Sequence, residues 1–163
     1  MQGNEPPAAQ GPASASLSSS TKPPCRILVA DDDSDLRRLN ARVLKRSGYE
    51  VDTVEDGAAA WEALQDKPFS LLITDHHMPG LTGIELVKKL RAANMDLPVI
   101  MATGKLPARE LAKNPSLQLA ALLPKPFSFH ELLEAVRNVL HGTDHACEQL
   151  ELLPAVGDGA TRL

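Results

Sequence analysis

Aromatic side chains are scarce. Phe, Trp and Tyr make up 3% of the 163 residues, with a single Trp and a single Tyr. Any core must therefore be aliphatic, and a hydrophobic content of 43% is enough to build one. Cysteine is limited to Cys25 and Cys147, with no CxxC spacing and no clustered histidine partner. That argues against a disulfide framework and fits two reduced thiols in a reducing compartment. No apolar run approaches the ~20 residues that cross a bilayer. The opening Met1-Gln2-Gly3-Asn4-Glu5 lacks the basic start and apolar run of a secretory signal. A basic excess is missing as well: the formal net charge of -4 argues against sequence-independent nucleic-acid binding, although it says little about a small local patch. These absences lead to the expectation of a soluble cytoplasmic protein with no membrane or direct nucleic-acid partner.

The length suits one ordinary domain with tails. Residues 1–24 are Pro, Ala, Ser, Gly and Gln with almost no large apolar groups, and such a segment cannot offset its ordering entropy by burial. The expectation is a disordered tail over 1–24, a folded domain over 25–141, and a polar, Gly-rich C-terminal tail over 142–163. No DNA-binding helix-turn-helix, cyclase-like domain or kinase core is expected to follow the folded part.

Within the folded part, short apolar runs alternate with amphipathic stretches. Ile27-Leu28-Val29-Ala30 reads as a strand buried on both faces. Leu36, Leu39, Val43 and Leu44 then fall on one helical face, and Gly48 is a plausible stop. Tyr49–Val54 reads as a second strand. A second helix follows Asp56-Gly57, with Trp61 and Leu64 sharing a face. Leu71–Thr74 is the third strand, Ile84, Val87 and Leu90 mark the third helix, and 98–102 is the fourth strand. Residues 107–118 are weakly helical and Pro115 should shorten that element. Ala120–Leu123 is the fifth strand. Ser128–Leu140 is the clearest helix, opened by the capping box Ser128-x-x-Glu131. Five such alternations imply an α/β fold: a doubly wound, five-stranded parallel sheet with helices on both faces. In that class ligands bind at the carboxyl ends of the strands, where the strand order reverses.

Those ends carry the chemistry. Asp31, Asp32 and Asp33 follow strand 1, Asp75 ends strand 3, Thr103 follows strand 4, and Lys125-Pro126 follows strand 5. Close carboxylates repel unless a cation lies between them. Mg2+ fits, because it is hard, prefers oxygen and is usually held by one or two carboxylates plus phosphate oxygens. A carboxylate oxygen can also attack phosphorus to give an aspartyl phosphate. Metal, ammonium and hydroxyl could then each take an oxygen of the transferring group.

At these residues the chain resembles the response-regulator receiver family of two-component signalling. The stretches that carry the resemblance are Ile27–Asp33, Leu71–Gly83 (with Asp75-His76-His77-Met78-Pro79-Gly80), Val99–Gly104 and Leu123–Phe127. The resemblance implies a flavodoxin-like fold with strand order 2-1-3-4-5 and a phosphorylation-activated switch rather than an enzyme. It implies Asp75 as phosphoacceptor, and Mg2+ bound by Asp32 and Asp75, by Asp31 mainly through water, and by the backbone carbonyl of His77. Thr103 and Lys125 would contact the phosphoryl group, Gly104 would leave access, and the Lys125-Pro126 peptide would be cis. His77 and Lys105 would tune the lifetime of the phosphoryl group. The donor would be a histidine kinase or a histidine phosphotransfer protein, and output would pass by protein contact through the face of helix 4, strand 5 and helix 5. The aromatic residue usual three positions before the lysine is replaced by Leu122.

Blander or rival readings stand beside these. Asp33 is left out of the site as a helix-start charge. His76 and His77 lack the i, i+4 spacing of a metal pair and are expected to face solvent. Trp61 is expected to pack on its own helix. Asp31-x-Asp33 also resembles the nucleophile motif of aspartate-nucleophile phosphatases, with Asp31 as nucleophile, but the short connection to helix 1 leaves no room for a substrate cap. A pseudo-receiver that binds without phosphorylation is the third reading.

Overall fold

The computed structural model describes residues 24–105 and 107–150, the last eight of these by backbone alone. Residues 1–23 and 151–163, on which most of the expected N-terminal tail and the end of the C-terminal tail fall, lie outside it. The elements run β1 (Arg26–Ala30), α1 (Ser34–Arg46), β2 (Glu50–Val54), α2 (Gly57–Asp66), β3 (Leu71–Asp75) and α3 (Gly83–Ala92). They continue with β4 (Val99–Thr103), α4 (Ala108–Lys113), a one-turn 3-10 helix (Pro115–Leu117), β5 (Ala121–Pro124) and α5 (Phe129–Leu150). All neighbouring strands pair parallel, in the order β2-β1-β3-β4-β5. Every residue of β3 and β4 is buried, which is why these runs read as continuous rather than alternating.

The period of two still sorts the core. Ile27, Val29, Leu71, Ile73 and Ile100 pack on one face with Leu44 of α1 and Leu132, Val136 and Leu140 of α5. Leu28, Leu72, Val99 and Met101 pack on the other with Leu64 of α2 and Ile84, Val87 and Leu90 of α3. Both clusters are aliphatic. Trp61 is half-buried against the second, with the Lys89 ammonium 4.9 Å from its ring centroid, so its partner lies on α3 as well as on its own helix.

Two expectations need correction, at Leu39 and at the end of α5, and one is extended. Leu39, read as core, is 44% exposed, while Asn40 beside it is buried; the core-facing arc of α1 is centred on Asn40, Ala41 and Leu44. Pro115 shortens α4 as expected, but it also starts a separate 3-10 turn, where the missing amide and fixed φ of proline are tolerated at a helix start. Finally, α5 runs to Leu150, past the stop expected at Leu140. Gly142 does not end it, since a mid-helix glycine costs only about 1 kcal/mol relative to alanine. Among the described residues no helix is long and apolar enough to cross a membrane.

Candidate phosphoacceptor site

The chain leaves β1 toward β2 on one side and returns through β3 on the other. The reversal leaves a crevice at the carboxyl ends of β1 and β3. Asp31 and Asp75 stand on its two walls, 3% and 7% exposed, and Asp32 is exposed at its mouth. One carboxylate oxygen from each of the three lies within 4.8 Å of the others.

Local hydrogen bonds fix each carboxylate. Asp31 Oδ1 accepts from the Asp33 amide at 2.9 Å and Oδ2 from Lys125 Nζ at 3.0 Å. Asp75 Oδ1 accepts from the His76 amide at 2.8 Å and lies 3.4 Å from Lys125 Nζ. Its Oδ2 has no hydrogen bond among the described residues. Asp33 caps α1, accepting from the amides of Asp35 and Leu36 at 3.0 and 3.1 Å, the helix-start role expected of it.

Lys125 arrives over a cis Lys125-Pro126 peptide, and its amide donates to the Thr103 carbonyl at 2.8 Å. Burial works against its charge, but the Asp31 and Asp75 carboxylates overcome that and raise its pKa. For Asp31 the balance goes the other way. Burial pushes its carboxyl up, more than the Lys125 ammonium and the Asp33 amide pull it down, and Asp75 adds to the rise. One ammonium thus does not satisfy the buried acids. Hard oxygen donors, two buried and one open to water, suit a small divalent cation such as Mg2+.

Thr103 is buried, but its hydroxyl does not face Asp75 by any hydrogen bond. It donates to the Lys105 carbonyl at 2.8 Å and accepts from the Lys105 amide at 3.3 Å. Lys105 itself is exposed. His77 is exposed, but His76 is not. The expectation that both face solvent fails for His76, which is 7% exposed with Nδ1 unpartnered and its ring edge-on to His77 at 4.5 Å. Its backbone explains this: the His76 amide continues the sheet to the Ala102 carbonyl, so the side chain follows the buried pleat of β3. Burial, helped by the nearby His77, lowers its pKa.

The support behind Asp75 escaped the sequence reading. The Gly83 amide donates to the His76 carbonyl at 3.0 Å, and a Cβ on Gly83 would collide with the Asp75 carbonyl oxygen. Thr82 and Glu85 close a capping box there, with Thr82 Oγ1 accepting from the Glu85 amide and Glu85 Oε2 accepting from the Thr82 amide at 2.9 Å. Thr82-x-x-Glu85 was a visible signal.

An acid-lined crevice at the switch point, with the Lys125 ammonium at its buried carboxylates, defines the class: a doubly wound, five-stranded parallel α/β protein. Residues 27–137 match the response regulator receiver domain, and the chain belongs to that family. Its members are switches of two-component systems, which signal by phosphorylation and typically bind Mg2+. The chain is 39% identical over 118 residues to the response regulator receiver protein CpdR of Brucella abortus, covering 71% of this chain and 96% of the relative. It is 34% identical to the transcriptional regulatory protein TctD of Salmonella typhimurium, of which it spans 57%, against 77% of its own length. Among solved structures, the chemotaxis protein CheY4 of Vibrio cholerae superposes with a TM-score of 0.68 at 30% identity, covering 72% of this chain and all of the other. The response regulator TrrA of Thermotoga maritima, solved with Mg2+ and BeF, gives 0.64 at 33% identity, covering 71% of this chain and 99% of the other.

Proposed function

We propose that Asp75 accepts a phosphoryl group from a histidine kinase or a histidine phosphotransfer protein in the cytoplasm, and that the phosphorylated chain signals by contact with another protein. The observation that carries this is the state of the two buried carboxylates. Both oxygens of Asp31 are engaged, whereas Asp75 keeps Oδ2 without a hydrogen bond among the described residues, its other oxygen Oδ1 lying 3.4 Å from the Lys125 ammonium. Asp75 is therefore the nucleophile, not Asp31, which disfavours the phosphatase reading. Its Oδ2 forms the new O–P bond while the P–N bond of the donor phosphohistidine breaks, and the imidazole leaves with the electron pair.

Asp31, Asp32, Asp75 and the His77 carbonyl would hold Mg2+, which supplies charge stabilisation for the transferring phosphoryl oxygens. Lys125 pairs with one of those oxygens. Thr103 leaves the Lys105 carbonyl and donates to another, so the chemistry at Asp75 alters the loop that leads into α4. His77 and Lys105, exposed on either side, set how readily water reaches the phosphoryl group. Output passes through α4, β5 and α5, where Leu122 is 36% and Phe129 42% exposed.

The test is intact mass after incubation with acetyl phosphate and Mg2+. A labile adduct of one phosphoryl group is expected on the wild type, absent from Asp75→Asn and abolished by EDTA. An adduct that persists in Asp75→Asn refutes the assignment.

A further inference from the structure

The net charge of the chain is -4, yet α1 is basic: it carries Arg37, Arg38, Arg42, Lys45 and Arg46 against Asp35 alone. Arg37 is committed to the fold, with Nη1 donating to the Asp31 carbonyl at 2.6 Å. The other four are not. Arg38, Arg42, Lys45 and Arg46 are all exposed and have no ion pair or side-chain hydrogen bond among the described residues. Some other cations of the surface find acids, Arg26 with Glu50 and Lys67 with Asp52, and what sets the four of α1 apart is that they stand together on one helix.

Their spacing of i, i+4, i+7 and i+8 stacks the four on one face, over about 12 Å of helix. With Ala41 of α1 and Thr53 of the edge strand β2 they line a shallow, open depression of about 500 Å3. No aromatic side chain lines it, so nothing there could stack on a base. Leu39, the exposed apolar residue of α1, is not among its walls, so it lacks the apolar centre of a protein interface. What the concavity offers is charge, three planar guanidinium forks and one hydroxyl. Such forks match phosphate oxygens in pairs.

We propose that the α1–β2 concavity binds a short linear polyphosphate, with Arg38, Arg42, Lys45 and Arg46 each neutralising part of a chain of linked phosphates. The length of the stripe selects several phosphates in a row over a single one. The absence of a stacking surface makes the phosphates, and not a base, the feature recognised.

Titration calorimetry of the full chain with inorganic tripolyphosphate at low salt tests this. Saturable binding is expected, weakening steeply as salt rises because counterions compete. The pair Arg38→Gln/Arg42→Gln should weaken it by about tenfold or more, as the loss of charge-assisted hydrogen bonds implies. The control pair Lys88→Gln/Lys113→Gln, with equal loss of charge outside α1, should leave it within about twofold. These residues are on the surface, and unchanged circular dichroism checks that the variants fold. ATP should bind no more tightly than tripolyphosphate. Several results overturn the proposal: no heat with tripolyphosphate, equal losses in the two variant pairs, or orthophosphate competing as well as tripolyphosphate. ATP binding tenfold tighter would show a nucleotide site instead, and tighter binding of a single-stranded oligonucleotide of equal charge would show a nucleic-acid surface.

Discussion

The loops after β3 and after β4 leave adjacent strands and meet at the same rim, but they are built in opposite ways. The first runs into α3, ten residues with five buried, opened by a capping box and held to β3 through the Gly83 amide. The second runs into α4, six residues with none buried and no side-chain cap. A helix of that length has little stability of its own. Its near end is tied through the Thr103 hydroxyl to Lys105. Its far end is fixed at the 3-10 turn, where Leu117 is buried and Arg91 of α3 donates to the carbonyls of Leu117 and Gln118. Asp75, the proposed acceptor, thus stands on a well-packed wall, and the element expected to report on it is a short arm whose near end, among the described residues, is tied by the pair of hydrogen bonds between Thr103 and Lys105. A switch needs that asymmetry: the chemistry must not move Asp75, and a small change at Thr103 must be enough to release α4.

Glycine substitutions should break the comparison most sharply. In Gly83→Ala the new methyl would meet the Asp75 carbonyl oxygen and the His76 Cα, backbone that cannot step aside. A loss of about 3 kcal/mol is expected, at the upper end for overpacking. Gly104→Ala meets nothing within 4 Å, and should leave stability within about 1 kcal/mol, through the unfolded chain if at all. Urea unfolding of both variants is the measurement. Equal losses would mean that the two loops are equally packed.

Much of this was legible in sequence because buried parallel strands announce themselves as unbroken apolar runs, and each ran into a chemically loaded residue. The strand ends therefore located Asp31, Asp75, Thr103 and Lys125 before any coordinates. What stayed hidden depends on arrangements that spacing does not encode. His76 looks like a loop histidine until the register with Ala102 shows that the pleat of β3 continues through it. Leu39 and Asn40 differ by 100° on the helix, and only the position of the sheet decides which is buried. The hydrogen bond from Thr103 to Lys105 is a choice of side-chain rotamer, and the close approach of Gly83 to Asp75 depends on the path of the loop.

The second prediction concerns the cation shared by the two walls. Lys125→Met removes the ammonium between two buried carboxylates. Lys125 is 22% exposed, which reduces the penalty for an unpaired buried charge to about 2 kcal/mol. The pH dependence has a definite sign. Asp31 is held above the ordinary carboxylate value by burial, so the folded state gains from its protonation as pH falls. The deficit of Lys125→Met should be largest near neutral pH and shrink on acidification through the carboxylate range. In the wild type, the contribution of Lys125, whose pKa is raised, is present below its unfolded value of 10.5 and lost as pH rises through the higher folded one. Mg2+ should recover part of the deficit. Thermal melts of wild type and variant across pH, with Mg2+ or chelator, would show this, and a deficit independent of pH would mean that the carboxylates are not what Lys125 compensates.

The smallest expected effect lies at the helix starts. Glu85 and Glu131 are held below the usual carboxylate value by the backbone amides, then by the hydroxyls, of Thr82 and Ser128. Their contribution is present above the unfolded value of 4.5 and lost as pH falls through the lower folded one. Between pH 5 and pH 3 (roughly the carboxylate range), protection against amide exchange, relative to the intrinsic rate at each pH, should fall at the first turns of α3 and α5. That of α4, whose N-cap Pro107 makes no side-chain cap, should already be low and should change least. At neutral pH, Thr82→Ala should cost about 1 kcal/mol and speed exchange at the start of α3 alone. If α4 proved as protected as α3 at pH 7, the arm would be as firmly mounted as the wall, and the asymmetry that makes the rim a switch would have to lie elsewhere.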